Sequence, residues 1–306
     1  MSATSTPHPP QLSLPGQVHA AEGPLDMSGT YVMHHAFRRD LDRFAAAVRA
    51  TPPQDAAVWR ALAGRWQRFA MVPHHHHTTE DADIWPLLLA HADVSGDARA
   101  CETLGAMAAE HGTLDPQLAA CGEGFATMAR SPDARVRDRL AEDVATLRDG
   151  LHHHLAHEES AVLPLAQQHL SRAEWATAED AAKKACAPRE PGVLVPWAAD
   201  GLDRASLDRA FAGAGPVFRI LYRLTRGRFA RRADRVRLQQ GPPCPPPLVE
   251  GPRPPHPSQA RDGTLQEGRQ PRLPRKASVT STATLLDCPP STRTAKARSP
   301  CGPPSW

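Results

Sequence analysis

Apolar residues recur three and four positions apart through most of residues 34–165, a spacing that lays one stripe along a helix. The first stripe carries His34, Phe37, Leu41, Phe44 and Val48. The second carries Trp59, Leu62, Trp66 and Phe69, and the same rhythm, continued through Pro73, lands on His76, Glu80, Ile84 and Leu87. The third runs Leu104, Met107, His111, Leu114, Leu118, Cys121, Phe125 and Met128, and the fourth Leu140, Val144, Leu147, Leu151, His154, Glu158, Val162 and Leu165. Four amphipathic helices of about twenty residues or more, joined by short links with Pro, Gly or Asp, predict an all-α, up-down-up-down four-helix bundle over residues 27–170. No stretch shows the period of two expected of a strand.

The flanks read differently. Residues 1–26 are rich in Pro, Gly and Ser without a sustained period and predict a flexible leader. After the bundle, Ser171 and Glu174 have the spacing of a capping box, with Leu170 and Trp175 placed as a hydrophobic staple, so a helical extension begins there and spans 171–237. It ends in a basic amphipathic helix over 216–235 that bears Phe218, Leu221, Tyr222 and Phe229. Residues 241–306 hold 16 of the 32 prolines and no Phe, Tyr or Ile, so the segment 238–306 is expected to be a disordered tail.

Charge sharpens this division. The net charge of +3 hides an acidic part, residues 1–215 with 19 Lys and Arg against 28 Asp and Glu, followed by residues 216–237 with 8 against 1. No apolar run approaches the ~18 residues of a membrane span, and the N-terminal residues lack a signal-peptide pattern, which together point to the cytoplasm. The six cysteines form no CxxC pair and read as free thiols. Histidine is the informative count, because 13 of 16 fall between His34 and His169, a bias that suits metal binding.

Two polar insertions repeat one pattern: His76 and Glu80 followed by Pro86, and His154 and Glu158 followed by Pro164. Four residues on a helix place imidazole and carboxylate one turn apart on one face, within reach of a single metal ion. An uncompensated carboxylate on a core stripe costs several kcal/mol, roughly, and no Lys or Arg stands beside either glutamate on its stripe. With His34 and His111 each on an inward stripe, four His and two Glu converge from four helices. A dinuclear, carboxylate-bridged metal site accounts for the set better than hydrogen-bonded core histidines and solvated charges do.

The order His, HisxxxGlu, GluHis, HisxxxGluGlu, with a Pro six residues after each motif glutamate, resembles a hemerythrin-like (HHE cation-binding) domain over roughly residues 27–170. The following helices, with Pro196-Trp197 and the basic strip, resemble actinobacterial members of that family. The resemblance implies two iron ions, bridged by carboxylate and by an oxo or hydroxo group, held by His34, His76, Glu80, His111, His154 and Glu158, with Glu80 and Glu158 as bridges. The chain departs from the invertebrate oxygen carriers on the third helix, where Asp115 stands at the position of a second histidine. Some hemerythrin-like proteins place an extra ligand directly after the motif histidine of the second helix, which here is His77. A rotation of that helix at Pro73 would instead turn His75 inward. Pro73 and Pro116 are both expected to kink their helices.

Seven ligands leave one coordination position open on two six-coordinate irons; without His77, two would be open. The reading that follows is a cytoplasmic non-haem di-iron protein that binds O2, NO or peroxide for sensing, protection or iron handling. A rival is a di-iron oxidoreductase that consumes peroxide at the same site. A third is a scaffold or nucleic-acid-binding protein acting through Arg219, Arg223, Arg226, Arg228, Arg231, Arg232, Arg235 and Arg237. That strip admits a nucleic acid or an anionic membrane surface, but docking on the acidic bundle is the favoured reading. His74, His152, His153 and His157 are expected to support ligands or face solvent, as are Asp81 and Glu159.

Overall fold

The computed structural model of the protein describes residues 8–185 and 191–238. All regular structure among the described residues is helical. Of the expected tail, all but Leu238 lies outside them, as do the first seven residues of the expected leader.

The first stripe forms α1 (Ser28–Ala50), with His34, Phe37, Leu41, Phe44 and Val48 buried. The second forms α2 (Ala56–Thr79), which passes through a single π-helical turn (Glu80–Ile84) into α3 (Trp85–Ser95). The third forms α4 (Ala98–Arg130), and the fourth α5 (Ala134–His157), a second π-helical turn (Glu158–Val162) and α6 (Leu163–His169). Three starts are capped by an aspartate: Asp55 accepts from the Val58 N–H at 3.1 Å, Asp97 from Ala100 at 3.1 Å and Asp133 from Arg135 at 2.7 Å. Each such cap is worth about 1 kcal/mol. Beyond Gly96, whose left-handed φ of 71° ends α3, the chain reverses into α4.

Neither Pro73 nor Pro116 ends its helix; the departures from α geometry fall at the two motif glutamates instead. The cause is the proline six residues on. Pro86 has no N–H, and its ring would clash with the carbonyl four residues back, so an unbroken α-helix is unfavourable there. A widened turn relieves the clash: the Trp85 N–H bonds to the Glu80 carbonyl, and before Pro164 the Leu163 N–H bonds to that of Glu158.

α1 packs on α5, α2 on α4, and α4 on α5. Two apolar clusters result. One gathers Phe37, Phe44, Trp66, Phe69, Phe125 and Leu147; the other gathers Leu25, Met27, Tyr31, Trp85, Met107 and Val162. Along each long helix the motif histidines fall between the two clusters: His34 between Tyr31 and Phe37, His76 and His77 between Phe69 and Trp85, His111 between Met107 and Leu114, His154 between Leu151 and Val162. The sequence therefore sandwiches a polar layer between two apolar ones.

The described part of the expected leader is a packed strap. Leu12, Leu14, Ala21 and Leu25 are buried in the second cluster. Gln167 of α6 holds the strap: its amide donates to the Ala21 and Leu25 carbonyls, both at 3.0 Å, and accepts from the Leu25 N–H at 2.8 Å. Gly23, at φ 157°, passes so close to Gln167 that a Cβ would lie 2.3 Å from its Oε1. A composition of Pro, Gly and Ser concealed four anchoring residues with irregular spacing.

The capping box forms as expected, with the Glu174 N–H donating to Ser171 Oγ at 3.2 Å and the Ser171 N–H to Glu174 Oε2 at 2.8 Å, opening α7 (Arg172–Ala185). α8 (Pro191–Ala198), α9 (Arg204–Ala214) and α10 (Pro216–Leu238) follow. Buried Asp40 ties α8 to α1, accepting from Trp197 Nε1 at 2.9 Å and from Arg65 Nη2 at 3.0 Å. α10 docks through its aromatic side, with Phe229 against the main core and Tyr222 beside Phe211 of α9 at 5.3 Å between ring centres.

Candidate metal centre

The structure brings together all seven residues singled out from the sequence. His77, His111 and His154 form one group whose ligand-type atoms lie within 4.8 Å of one another; His34, His76 and Glu158 form a second; Glu80, His154 and Glu158 join the two. All are buried except His76, which is nearly so. His75, the alternative to His77, is exposed.

Each of the five histidines turns Nε2 inward. His34 Nε2 approaches Glu158 Oε2 at 3.1 Å, His76 Nε2 approaches Glu80 Oε1 at 3.0 Å and His111 Nε2 approaches Glu80 Oε2 at 3.4 Å. None of these five Nε2 atoms has a hydrogen-bond partner, and neither do Glu80 Oε2 and Glu158 Oε2. Seven buried polar atoms pointing at one another would be strongly destabilising in an apolar interior unless retained protons or a cation satisfied them.

Four of the five rings are oriented from behind by a carboxylate on Nδ1. Glu159 holds His34 at 3.0 Å, Asp115 holds His77 at 2.7 Å, Asp81 holds His111 at 2.9 Å and Glu110 holds His154 at 2.8 Å. A carboxylate there keeps the proton on Nδ1 and leaves the Nε2 lone pair free, the tautomer a metal requires. These supports are themselves supported. Glu159 accepts from Arg38 Nη1 at 2.6 Å and from the Val18 N–H of the strap at 2.9 Å, while Glu110 and Asp115 each hold a second, outer histidine, His157 and His74, at 2.8 and 2.7 Å. His152 is half-buried, His153 is exposed, and neither joins a group of ligand-type atoms.

Glu110 enters the sequence pattern only as the Glu of GluHis, directly before His111, and its place behind His154 is not read from it. Adjacent residues on a helix lie about 100° apart, so His111 faces inward and Glu110 turns toward α5. That adjacency, together with the missing cation for a half-buried carboxylate, was the available signal.

The electrostatics agree with this division of labour. Burial and neighbouring imidazoles lower His76 well below the ordinary range, and burial outweighs the Asp115 bond to bring His77 down to about 4. His154 is lowered too, chiefly by burial. His34 differs: burial opposes its charge, but Glu158 and Glu159 outweigh that and raise it to about 9. Of the two inward carboxyls, Glu80 is pushed well above the ordinary range by burial and by Glu158, whereas Glu158 is held low by His34 against the cost of its own burial. The protein alone thus retains protons that a cation would displace.

A pocket reaches the centre from the α7 side. Thr30, Ile84, Trp85, Leu163, Trp175 and Ala178 are among the residues that line it, and His76, Glu80 and Glu158 stand at its inner end. Among the described residues no helix is long and apolar enough to cross a membrane.

No curated protein and no solved structure matches the chain significantly. The sequence model of the family described as the hemerythrin HHE cation binding domain matches residues 31–166. Those bounds contain all seven inward-facing residues and the four carboxylates that orient four of them, and they exclude the strap and α7 to α10. Over residues 31–166 the chain is thus similar to the hemerythrin HHE cation binding domain family.

Proposed function

We propose that residues 27–170 form an up-down-up-down four-helix bundle around a dinuclear non-haem iron centre that binds O2, NO or peroxide in the cytoplasm, with 171–237 as a helical extension against it. The observation that carries this reading is the set of seven buried, unpartnered ligand atoms backed by four oriented Nδ1–carboxylate pairs. His77, His111 and His154 would hold one metal, His34 and His76 the other, and Glu80 and Glu158 would span both. Nitrogen and carboxylate donors in this number suit iron. Bound iron would supply reversible redox chemistry and an open coordination position for a small ligand.

The chain's own residues do the rest. Phe37, Trp85 and Val162 restrict water around the polar layer. Glu159, Asp115, Asp81 and Glu110 hold the Nδ1 proton of His34, His77, His111 and His154 away from the centre. The pocket beside α7 supplies a route for a small ligand to the side of His76, Glu80 and Glu158.

Metal analysis with an absorption spectrum of aerobically purified protein tests the proposal. About two irons per chain with the bands of a bridged diferric pair are expected; one zinc would overturn it. The pocket also favours a second reading, peroxide consumption at the same centre. Peroxide turnover by iron-loaded protein, absent from a metal-free control, separates that reading from reversible binding.

A further inference from the structure

We infer that the outward face of α10 is a docking surface for an anionic lipid bilayer. α10 spends its aromatic side on the fold: Phe229 packs on the main core, Tyr222 on Phe211, and Thr225 sits close against Gly192 of α8. On the other side Val217, Ile220 and Leu224 are 71%, 57% and 74% exposed. At about 100° per residue these three fall within about 60° of one another, so they form one stripe rather than scattered surface residues. Arg228 and Arg231 continue the same stripe and Arg223 flanks it, all exposed.

These arginines are not neutralised by the acidic body of the protein. Arg219 approaches Asp208 at 3.8 Å, but Arg223, Arg226, Arg228 and Arg231 have no carboxylate within ion-pair distance among the described residues. The expected solvated helix docked on the acidic bundle is compatible with this arrangement: α10 packs by its aromatic side, Arg226 lies over the Tyr222 ring, and Arg223, Arg228 and Arg231 are exposed.

The pairing of the two features selects the partner. Arginines alone would suit any polyanion, nucleic acid included, because phosphate contact requires only charge and hydrogen-bond donors. Three exposed aliphatic side chains on the same face gain nothing from a sugar-phosphate backbone. At a bilayer they enter the acyl boundary while the arginines stay at the level of anionic headgroups, the arrangement of an interfacial helix. The excess of 8 basic over 1 acidic residue in 216–237 has the sign such a surface requires.

Co-sedimentation of the full chain with vesicles tests this independently of the metal centre. The protein is expected to sediment with vesicles of equal parts phosphatidylcholine and phosphatidylglycerol and to stay in solution with phosphatidylcholine alone. Replacing Arg223, Arg228 and Arg231 together by Gln should weaken binding about a hundredfold. Ile220→Ser with Leu224→Ser, which leaves the charge intact, should weaken it about tenfold. All five positions are exposed, so unchanged melting and metal content serve as the control for folding. No sedimentation with the anionic vesicles would overturn the inference, as would a serine variant that binds like the native chain. Duplex DNA bound equally by native and serine variants, without vesicle binding, would assign the surface to nucleic acid and overturn it as well.

Discussion

Asp115 stands one turn after His111 on α4, and its Oδ1 lies 2.7 Å from Nδ1 of His77 on α2. Where the invertebrate oxygen carriers would place a second histidine on the third long helix, this chain has a carboxylate, and the imidazole comes from the neighbouring helix instead. On the proposed reading His77 would stand in for that histidine as a donor, with Asp115 behind it and Nε2 turned inward.

Asp115→Ala is therefore expected to weaken metal binding about 10- to 100-fold, by freeing the His77 ring to rotate and removing the group that fixes its tautomer. Asp115→Asn should do less, since its amide oxygen can still accept from Nδ1. Metal affinity by competition with a chelator checks both. Equal loss in the two variants would point to charge, rather than orientation, as the contribution.

Glu80→Ala and Glu158→Ala should lose most of the bound metal, since each removes a carboxylate that faces both histidine groups. Asp81→Ala should cost less than either, within the same 10- to 100-fold range as Asp115→Ala, because Asp81 acts on His111 only through Nδ1. Metal content after desalting ranks the three. Asp81→Ala emptying the centre as fully as Glu80→Ala would show that the inward carboxylates have been misassigned.

The long helices and the inward positions were legible because burial imposes one period on all of them: a histidine or glutamate on an otherwise apolar stripe is conspicuous. The two prolines inside α2 and α4 drew attention, yet the irregular turns lie at Glu80 and Glu158. A proline acts on the turn before it, so the informative spacing was Glu80 to Pro86 rather than Pro73 to His76. The supports Glu110 and Asp115 were hidden because they lie off the stripe and reach across to another helix. The strap was hidden for a related reason: Ala21 and Leu25 are held by Gln167, some 140 residues away, Leu12 and Leu14 are buried in the same apolar cluster, and long-range contacts of irregular segments leave no period.

Gln167→Ala tests the strap. The change deletes three buried hydrogen bonds and strands the Leu25 N–H and the Ala21 carbonyl, while the Leu25 carbonyl keeps its bond from Gln11 Nε2 at 2.7 Å, for an expected loss of about 2–4 kcal/mol. Urea unfolding measures that loss, and limited proteolysis should cut within residues 12–25 much faster than in the native chain. A variant of native stability with a protected strap would show that the apolar anchors suffice.

Asp40 is fully buried, and although burial favours its neutral form, Arg65, Arg39 and the Trp197 indole N–H hold its carboxyl below the ordinary range. A depressed folded value means that the unfolded chain binds the proton more readily. The stabilisation from Asp40 is therefore complete above its unfolded pKa of about 3.9 and is lost as pH falls through the lower folded value. Asp40→Asn keeps the shape but leaves Arg65 without its anion and Arg39 with only Asp200 at 3.9 Å, at an expected cost of about 3 kcal/mol near neutrality. Below pH ~4 the native chain loses what the variant never had, so the two stability curves should converge. Denaturant unfolding of both proteins across the acid limb measures the difference, in which acid effects common to both chains, including protonation at the metal centre, cancel. A constant gap down to the lowest pH would show that Asp40 contributes through packing rather than through its charge.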